Sequence, residues 1–442
     1  MARALSFFQA TAIAGALALA PMATAAMAAV DNETYNEIDR FMEVFNRVKA
    51  TYVEKVDDKK LIRGAIDGML ASLDPHSSYV DAVDFQNMRI LTEGNYGGLG
   101  LSVTMEDGAV KVIAPQEDTP AFRAGIKAGD YITHIDGQLI YGETLDEAIT
   151  SMRGKPGTRI ALTIVRPGRD KPIDIELVRE VIIQKPVKWE VKGDIGYINI
   201  NTFSENTGAD VRAAIAGIDK ALGRKPVGYV VDLRDNGGGL LSQAVEVSDA
   251  FLSSGEIVSQ RGREKSDIER YYAKPGDDAG GLPVIVLVNA GTASASEIVA
   301  GALQDHHRAL IMGERSFGKG SVQTLLQLDD STALRLTTAR YYTPSGRSVQ
   351  EGGIRPDIAV PQISDPDYKS RPVFREADLR KHLVNEVKAD NAILEEDTNI
   401  DPRFSATADA LKKKGVADFQ LYYALQTLGR LSPAPAPTVA KR

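Results

Sequence analysis

Apolar positions recur at helical spacing from Asp31 to about Glu93: Ile38, Phe41, Met42, Phe45 and Val48, then Leu61, Ile62, Ala65, Ile66, Met69 and Leu70. This spacing predicts two or three amphipathic helices. The turn Leu73-Asp74-Pro75-His76-Ser77-Ser78-Tyr79 ends the last of them, since Pro75 cannot continue a helix. From 94 to 181 the pattern shortens to β runs separated by glycine turns: Leu99 to Thr104, Ala109 to Ile113, Asp130 to Ile135, Arg159 to Val165 and Pro172 to Leu177, with one helix over Asp146 to Met152. From 182 strands alternate with helices. Ile195 to Asn199, Gly228 to Leu233 and Val284 to Val288 are strands, and Thr207 to Leu222 and Gln243 to Leu252 are helices, an order that predicts an α/β layer reaching to about 365. Beyond Pro361 strand character fades. Glu376 to Leu394 and Ala406 to Gln426 read as helices within a C-terminal region of 366–430, and the alternating Pro-Ala run in 431–442 reads as a disordered tail. The expectation is an α/β multidomain chain without internal repeats.

The first 28 residues change the picture of where the chain works. One charge, Arg3, precedes an Ala- and Leu-rich run broken by Gly15 and Pro21, followed by the small-residue sites Ala23-Thr24-Ala25 and Ala26-Met27-Ala28. This is the pattern of a cleaved secretory signal peptide, which implies a periplasmic location with the inner membrane nearby. An uncleaved anchor is the competing reading. The chain has no cysteine, which excludes thiol chemistry and disulfides. Loss of Arg3 with the leader takes the net charge from −8 to −9, and that balance gives no sign of a nucleic-acid partner. No later segment reaches about 18 apolar residues, so no further membrane span is expected.

The candidate chemistry lies where Val284 to Val288 runs into Gly291-Thr292-Ala293-Ser294-Ala295-Ser296-Glu297-Ile298, ahead of a helical stretch to Leu303. Ser294 is thereby expected at a strand-to-helix junction, where unpaired backbone N–H groups can bind the negative oxygen of a tetrahedral intermediate. A serine hydroxyl also needs a base. Only His76, His134, His306, His307 and His382 are available. His306 and His307 would sit roughly 18 Å along the same helix and read as surface or cap residues. His76 belongs to a turn whose Asp, Pro and Ser already account for its shape. Lys319, in Ser316-Phe317-Gly318-Lys319-Gly320-Ser321-Val322-Gln323, is the stronger base. To be neutral near pH 7 it must lose about 3 pKa units, or about 4 kcal/mol, which burial can supply. A solvated loop lysine is the plainer reading of Lys319 alone.

Two resemblances sharpen this reading. Tyr96-Gly97-Gly98-Leu99-Gly100-Leu101, the run Pro120-Ala121-Phe122-Arg123-Ala124-Gly125-Ile126-Lys127-Ala128-Gly129-Asp130 and Arg153-Gly154-Lys155-Pro156-Gly157-Thr158 resemble a PDZ domain of bacterial processing peptidases. That resemblance implies that Gly98, Leu99, Gly100 and Leu101 bind the terminal carboxylate of a peptide whose backbone adds a strand to the sheet edge. A glycine-rich hairpin is the plainer alternative for these residues. Arg153 could couple the module to the catalytic site or simply be solvated.

The Ser294 segment, Lys319 and Gln323, together with Val231-Asp232-Leu233-Arg234-Asp235-Asn236-Gly237-Gly238-Gly239-Leu240 and Ala339-Arg340-Tyr341-Tyr342-Thr343-Pro344-Ser345-Gly346-Arg347-Ser348, resemble the C-terminal (tail-specific) processing peptidases, a Ser-Lys serine protease family. The resemblance implies Ser294 as nucleophile in preference to Ser296, Lys319 as general base and then acid, and Gln323 as the residue that orients the lysine. It implies an oxyanion hole from the N–H of Ala295 and that of Gly238 or Gly239, no metal and no cofactor. Glu297 and Arg234 read as structural. A straight strand would hold Lys319 and Gln323 about 13 Å apart, so a kink at Gly320 is expected.

The implied substrates are proteins with apolar C-termini. The terminal helices are candidates for a homo-oligomer interface, and a periplasmic adaptor or lipoprotein is a candidate partner. Two other classes stay open at this point. Ser316-Phe317-Gly318-Lys319 fits the Ser-x-x-Lys of β-lactamases and penicillin-binding proteins, although no Ser-Asp-Asn or Lys-Thr-Gly accompanies it. The chain could also be an inactive PDZ scaffold that binds peptides.

Overall fold

The computed structural model describes residues 32–386 and 407–431, apart from positions 107, 170, 265 and 369. The expected signal sequence, the Pro-Ala tail and positions 387–394 of the helix expected over Glu376 to Leu394 lie outside them. The chain divides into two compact units, Met1–Ala65 and Ile66–Arg442. In the first, the helix Asn32–Thr51 is followed by the start of Asp58–Ala71, and Lys49 pairs with Asp58 at 2.7 Å. Among the described residues no helix is long and apolar enough to cross a membrane.

In the second unit, the β-rich module is an antiparallel sheet of Leu101–Glu106, Ala109–Pro115, Tyr131–Ile135, Arg159–Val165 and Ile173–Val178. Period-2 alternation sends Ile160, Leu162 and Ile164 inward while Arg159 and Ala161 face water. They pack with Ala148 and Met152 of the helix Leu145–Met152, which Thr144 and Glu147 start with a reciprocal capping box. A separate ribbon, Asn95–Gly98 against Glu180–Ile183, joins this module to the rest.

The α/β layer is a six-stranded sheet in the order Val187–Lys192, Ile195–Ile200, Tyr229–Asp232, Val284–Val288, Leu310–Gly313 and Ile358–Ala359, parallel except at its first pair. All five residues of Val284–Val288 are buried, because both faces of the sheet are covered. Val284, Val286 and Val288 meet the helices Thr207–Leu222, Leu241–Asp249 and Ala295–Asp305. Ile285 and Leu287 meet the C-terminal Ala408–Lys413 and Phe419–Leu431. A second, antiparallel sheet is centred on Ala333–Tyr342, which pairs with Ser321–Gln327, Glu256–Arg261 and Ser78–Val80, while Ile268–Tyr272 pairs with Glu256–Arg261. The Asp74–Tyr79 turn therefore leads into a strand of the catalytic unit's own sheet.

The helix expected from Glu376 is not formed. Glu376–Asp378 makes a single 3-10 turn and the chain stays irregular to 386. Glu376 is fully buried, its carboxylate meeting His76 and Gln350 and its N–H donating to the Phe317 carbonyl at 3.1 Å, so it cannot sit on a solvated helical face. The helix expected over Ala406 to Gln426 is divided at Gly415, whose φ of 72° ends the first segment.

Candidate active site

Adjacent parallel strands deliver two loops to one place at their carboxyl ends. After Tyr229–Asp232 comes the Asp235–Gly239 turn, and after Val288 comes the segment that begins the Ala295–Asp305 helix. Polar groups stitch the loops together: the Ala293 N–H and the Ser296 hydroxyl both donate to the Asn236 carbonyl, at 3.0 and 2.9 Å, and the Thr292 hydroxyl donates to the Leu233 carbonyl at 2.8 Å. Ser296 is fully buried in this role, which removes it as a nucleophile.

Ser294 is half-buried at the helix start with φ 56° and ψ −116°, a backbone conformation rare for a residue with a side chain. Such strain costs of order 1–3 kcal/mol and persists only where surrounding contacts impose it. Here they are identifiable. The Ser294 N–H donates to Glu297 Oε2 at 2.7 Å and its carbonyl accepts from the Tyr341 hydroxyl at 3.1 Å.

The same two side chains hold Lys319. Its N–H donates to Glu297 Oε2 at 3.0 Å, and its carbonyl and that of Ser294 share the single Tyr341 O–H. The two backbone nitrogens are thus no farther apart than two hydrogen bonds laid end to end. Glu297 Oε1 accepts the Ser316 hydroxyl at 2.5 Å and the Gly318 N–H at 2.7 Å. Burial pushes the Glu297 carboxyl up to about 7, against the hydrogen bonds from Ser316, Gly318, Ser294 and Lys319 that favour its ionised form. Read from sequence as structural, Glu297 lies at the centre of the site. Its signal was an acid in a helix whose residues from Ala295 to Leu303 are all buried.

Burial holds the Lys319 ammonium below the ordinary lysine value of 10.5; Glu376 opposes this shift, Arg335 adds to it, and Glu297 and Asp74 oppose it. Among the described residues no hydrogen bond joins Lys319 Nζ to Ser294 Oγ; it is the two backbones that Glu297 and Tyr341 bring together. Gln323 lies on Ser321–Gln327, its amide nitrogen 3.0 Å from Ser321 Oγ and 3.2 Å from Thr337 Oγ1. The expected kink at Gly320 takes another form. Gly318 carries the positive φ, 96°, and a bulge between Val322 and Gln323 shifts the register so that Gln323 faces Thr337.

Ser316 is fully buried, its hydroxyl donating to Glu297 and accepting the Ile354 N–H at 2.6 Å. It lacks the exposure that a Ser-x-x-Lys nucleophile requires, and its O–H is committed to Glu297 and not to a lysine. His76 lies 2.9 Å from both oxygens of Glu376, and His306 caps the end of its helix with Nε2 2.7 Å from the Glu256 carbonyl.

The glycine turn presses on the serine: a Cβ on Gly238 would stand 2.9 Å from Ser294 Cβ and from the Ala295 nitrogen. The Gly238 N–H, however, donates to Asn236 Oδ1 at 2.9 Å. Gly239 is exposed, and among the described residues its N–H and that of Ala295 have no hydrogen-bond acceptor.

In the β-rich module Gly98, Leu99, Gly100 and Leu101 line a cleft of about 1040 Å³ that also includes Ile149, Ile183, Lys185, Asn201 and Thr202. The N–H groups of Leu99 and Gly100 are unpaired among the described residues. Gly100 has φ 75° and its missing Cβ leaves room for the Thr119 side chain, which would otherwise be 2.3 Å away. The Arg153 guanidinium stacks over Tyr96 at 5.1 Å and donates to Asn87 at 2.8 Å, so it is not a free loop cation.

Comparison with known proteins agrees with this architecture. The profile of peptidase family S41 matches residues 194–360, that of a PDZ domain residues 97–177, and that of the activating protease CtpB N-terminal domain residues 4–83. The chain is 54% identical over 362 residues to a carboxy-terminal-processing protease of Bartonella bacilliformis, covering 81% of this chain and 83% of that one. It is 33% identical over 424 residues to the carboxy-terminal processing protease CtpB of Bacillus subtilis, covering 94% and 87%. Among solved structures it is similar to the photosystem II D1 C-terminal processing protease, at 30% identity and a TM-score of 0.43 over 74% of this chain and 94% of that one. The chain belongs to the carboxy-terminal-processing proteases of family S41, serine-type peptidases that carry a PDZ domain.

Proposed function

We propose that the protein cleaves exported protein substrates, recognised by apolar C-terminal tails, through a Ser294–Lys319 acyl-enzyme mechanism. The observation that carries this reading is the shared anchoring of both backbone segments on Glu297 Oε2. Neutral Lys319 takes the Ser294 proton as Oγ attacks the scissile carbonyl, then gives that proton to the departing amine. Lys319, neutral again, then deprotonates a water that attacks the acyl ester, and gives that proton to Ser294 Oγ as the ester C–O bond breaks. Gln323 orients Lys319. The N–H groups of Ala295 and Gly239 stabilise the oxyanion, since Gly238 has already committed its donor to Asn236.

The substrate's terminal carboxylate meets the Leu99 and Gly100 N–H groups and its backbone lies in the cleft at the sheet edge. The leader in residues 1–28 delivers the chain to the periplasm, and N-terminal sequencing of the secreted protein tests that step. Tyr35, Ile38, Phe41 and Met42 form an exposed apolar stripe on Asn32–Thr51 that supports self-association through the terminal helices, with adaptor or lipoprotein partners a further possibility to assay. A monomeric mass by light scattering would end the self-association reading.

The deciding assay is cleavage of an unfolded protein with an apolar tail. Ser294→Ala and Lys319→Ala should abolish it, and Ser316→Ala should retain turnover while losing stability. Parent-like cleavage by Ser294→Ala would overturn the nucleophile assignment.

A further inference from the structure

Gln323 can assist Lys319 only if its amide presents oxygen, an acceptor, toward the ammonium or amine hydrogens. An amide is nearly symmetric in shape, so something must distinguish its two ends. The Asp74–Ser77 turn, which the chemistry described above does not use, supplies the asymmetry. Asp74 is buried, with 4% of its surface exposed. Its Oδ1 accepts the N–H groups of His76 and Ser77 at 2.8 and 2.9 Å and the Thr337 hydroxyl at 3.2 Å, and its Oδ2 accepts the Ser77 hydroxyl at 2.8 Å. The Ser77 hydroxyl in turn accepts the Thr337 N–H at 3.1 Å, which fixes this turn against the strand that faces Gln323. An ionised carboxylate accepts and cannot donate. The Thr337 hydrogen is therefore spent on Asp74, and Thr337 Oγ1 can only accept from Gln323, whose Nε2 lies 3.2 Å away. With Nε2 held there and on Ser321, Gln323 Oε1 is the end left for lysine.

We infer that Asp74 is a positioning residue for catalysis, setting through the Thr337 hydroxyl the amide orientation of Gln323. Burial alone would raise the Asp74 carboxyl, but hydrogen bonds from Ser77, His76 and Thr337 bring it below its ordinary value, so it is an acceptor wherever the enzyme works. The inference rests on the proposed roles of Lys319 and Gln323. Asp74→Ala is the informative change, because it takes away the acceptor that holds the Thr337 hydrogen, freeing the hydroxyl to donate to Gln323 and turning its NH₂ toward lysine; an asparagine would keep its amide oxygen on the His76 and Ser77 N–H groups and on Thr337.

The test compares full-length parent, Asp74→Ala, Thr337→Val, Thr337→Ser, Gln323→Ala and the double variant Asp74→Ala/Gln323→Ala in steady-state cleavage of the tailed protein. Asp74→Ala and Thr337→Val should each lower kcat by about 10- to 100-fold with KM unchanged, as a misplaced catalytic group does. Thr337→Ser keeps the hydroxyl and should restore the rate. The double variant should be no slower than Gln323→Ala alone, because both changes remove the same aid. Multiplying losses in the double variant, or a Thr337→Ser variant as slow as Thr337→Val, would overturn the inference, as would parent-like turnover by Asp74→Ala and Thr337→Val. If Asp74→Ala fails to fold, the Thr337 pair decides. Full activity of Lys319→Ala or Gln323→Ala would instead sink the underlying mechanism, so the two failures are separable.

Discussion

The backbone amides of Ser294 and Lys319 converge on a single carboxylate oxygen, Glu297 Oε2, at 2.7 and 3.0 Å. Each oxygen of Glu297 faces donors only: Ser316 and Gly318 on one side, Ser294 and Lys319 on the other. Glutamine offers one acceptor, so Glu297→Gln must turn its NH₂ toward one of these pairs. Leaving two buried donors without acceptors costs about 1–3 kcal/mol each. Thermal unfolding should show that loss, and cleavage should fall by about 100-fold or more as both segments shift. A variant with parental stability and rate would mean that Glu297 does not set this geometry.

The same pair of groups gives the pH dependence its sign. Burial, with Arg335, holds Lys319 below 10.5 against Glu376, Glu297 and Asp74, and the base is active only when neutral, so its contribution rises with pH. Glu297, raised by burial to about 7, serves as a four-fold acceptor only when ionised, so its contribution also rises with pH. Cleavage should therefore increase from mildly acidic to alkaline conditions. A profile of kcat/KM that fell across that range would contradict both assignments.

Gly239 separates an oxyanion role from a packing role. Its φ is 144°, and a Cβ there would stand 2.3 Å from the Phe203 carbonyl oxygen. Gly239→Ala must move the loop, and the Gly239 N–H with it. Loss of one oxyanion donor costs about 2.7 to 4 kcal/mol in the transition state. The variant should bind the tailed substrate like the parent, as read by competition with a tail peptide, yet acylate Ser294 about 100- to 1000-fold more slowly. Acylation at the parental rate would remove Gly239 from the oxyanion hole.

Elements whose apolar positions repeat with a clean period were legible in the sequence. Val284–Val288 as a wholly apolar run and Ile160, Leu162 and Ile164 as alternating positions announced a covered sheet and a half-covered one. Gly238 and Gly239 could not be ranked from sequence, because the difference between them is that the Gly238 N–H donates to the Asn236 side chain. Glu297 was read as structural and Tyr341 was given no role. The Ser294-x-x-Glu297 spacing of a capping box is local, but nothing local announces that the same carboxylate also takes the Lys319 N–H, or that Tyr341 meets the Lys319 carbonyl. The helix expected from Glu376 failed through a tertiary contact as well, since His76, some 300 positions earlier, draws that carboxylate into the interior.

The last prediction concerns how the C-terminal helix is held. Arg234 forks between Asp232, at 2.6 Å, and Asp418, at 2.7 Å, just ahead of Phe419–Leu431. Asp232 is almost fully buried and Asp418 about one-third exposed, so the two pairs are not equivalent. Arg234→Met leaves a buried carboxylate without its cation and should cost about 3–5 kcal/mol. Asp418→Asn leaves Asp232 paired and should cost less, while loosening Phe419–Leu431 enough to raise its amide hydrogen exchange. Burial works to raise the Asp418 carboxyl, but Arg234 and the Gln362 and Leu421 hydrogen bonds hold it below 3.8. A depressed folded-state value stabilises the protein above the unfolded value, and that stabilisation disappears as pH falls through the folded one. Acid unfolding of the parent should therefore begin with exchange in Phe419–Leu431, and Asp418→Asn should flatten that acid dependence. If the helix exchanged equally in both proteins at every pH, the Arg234 fork would not be what docks it.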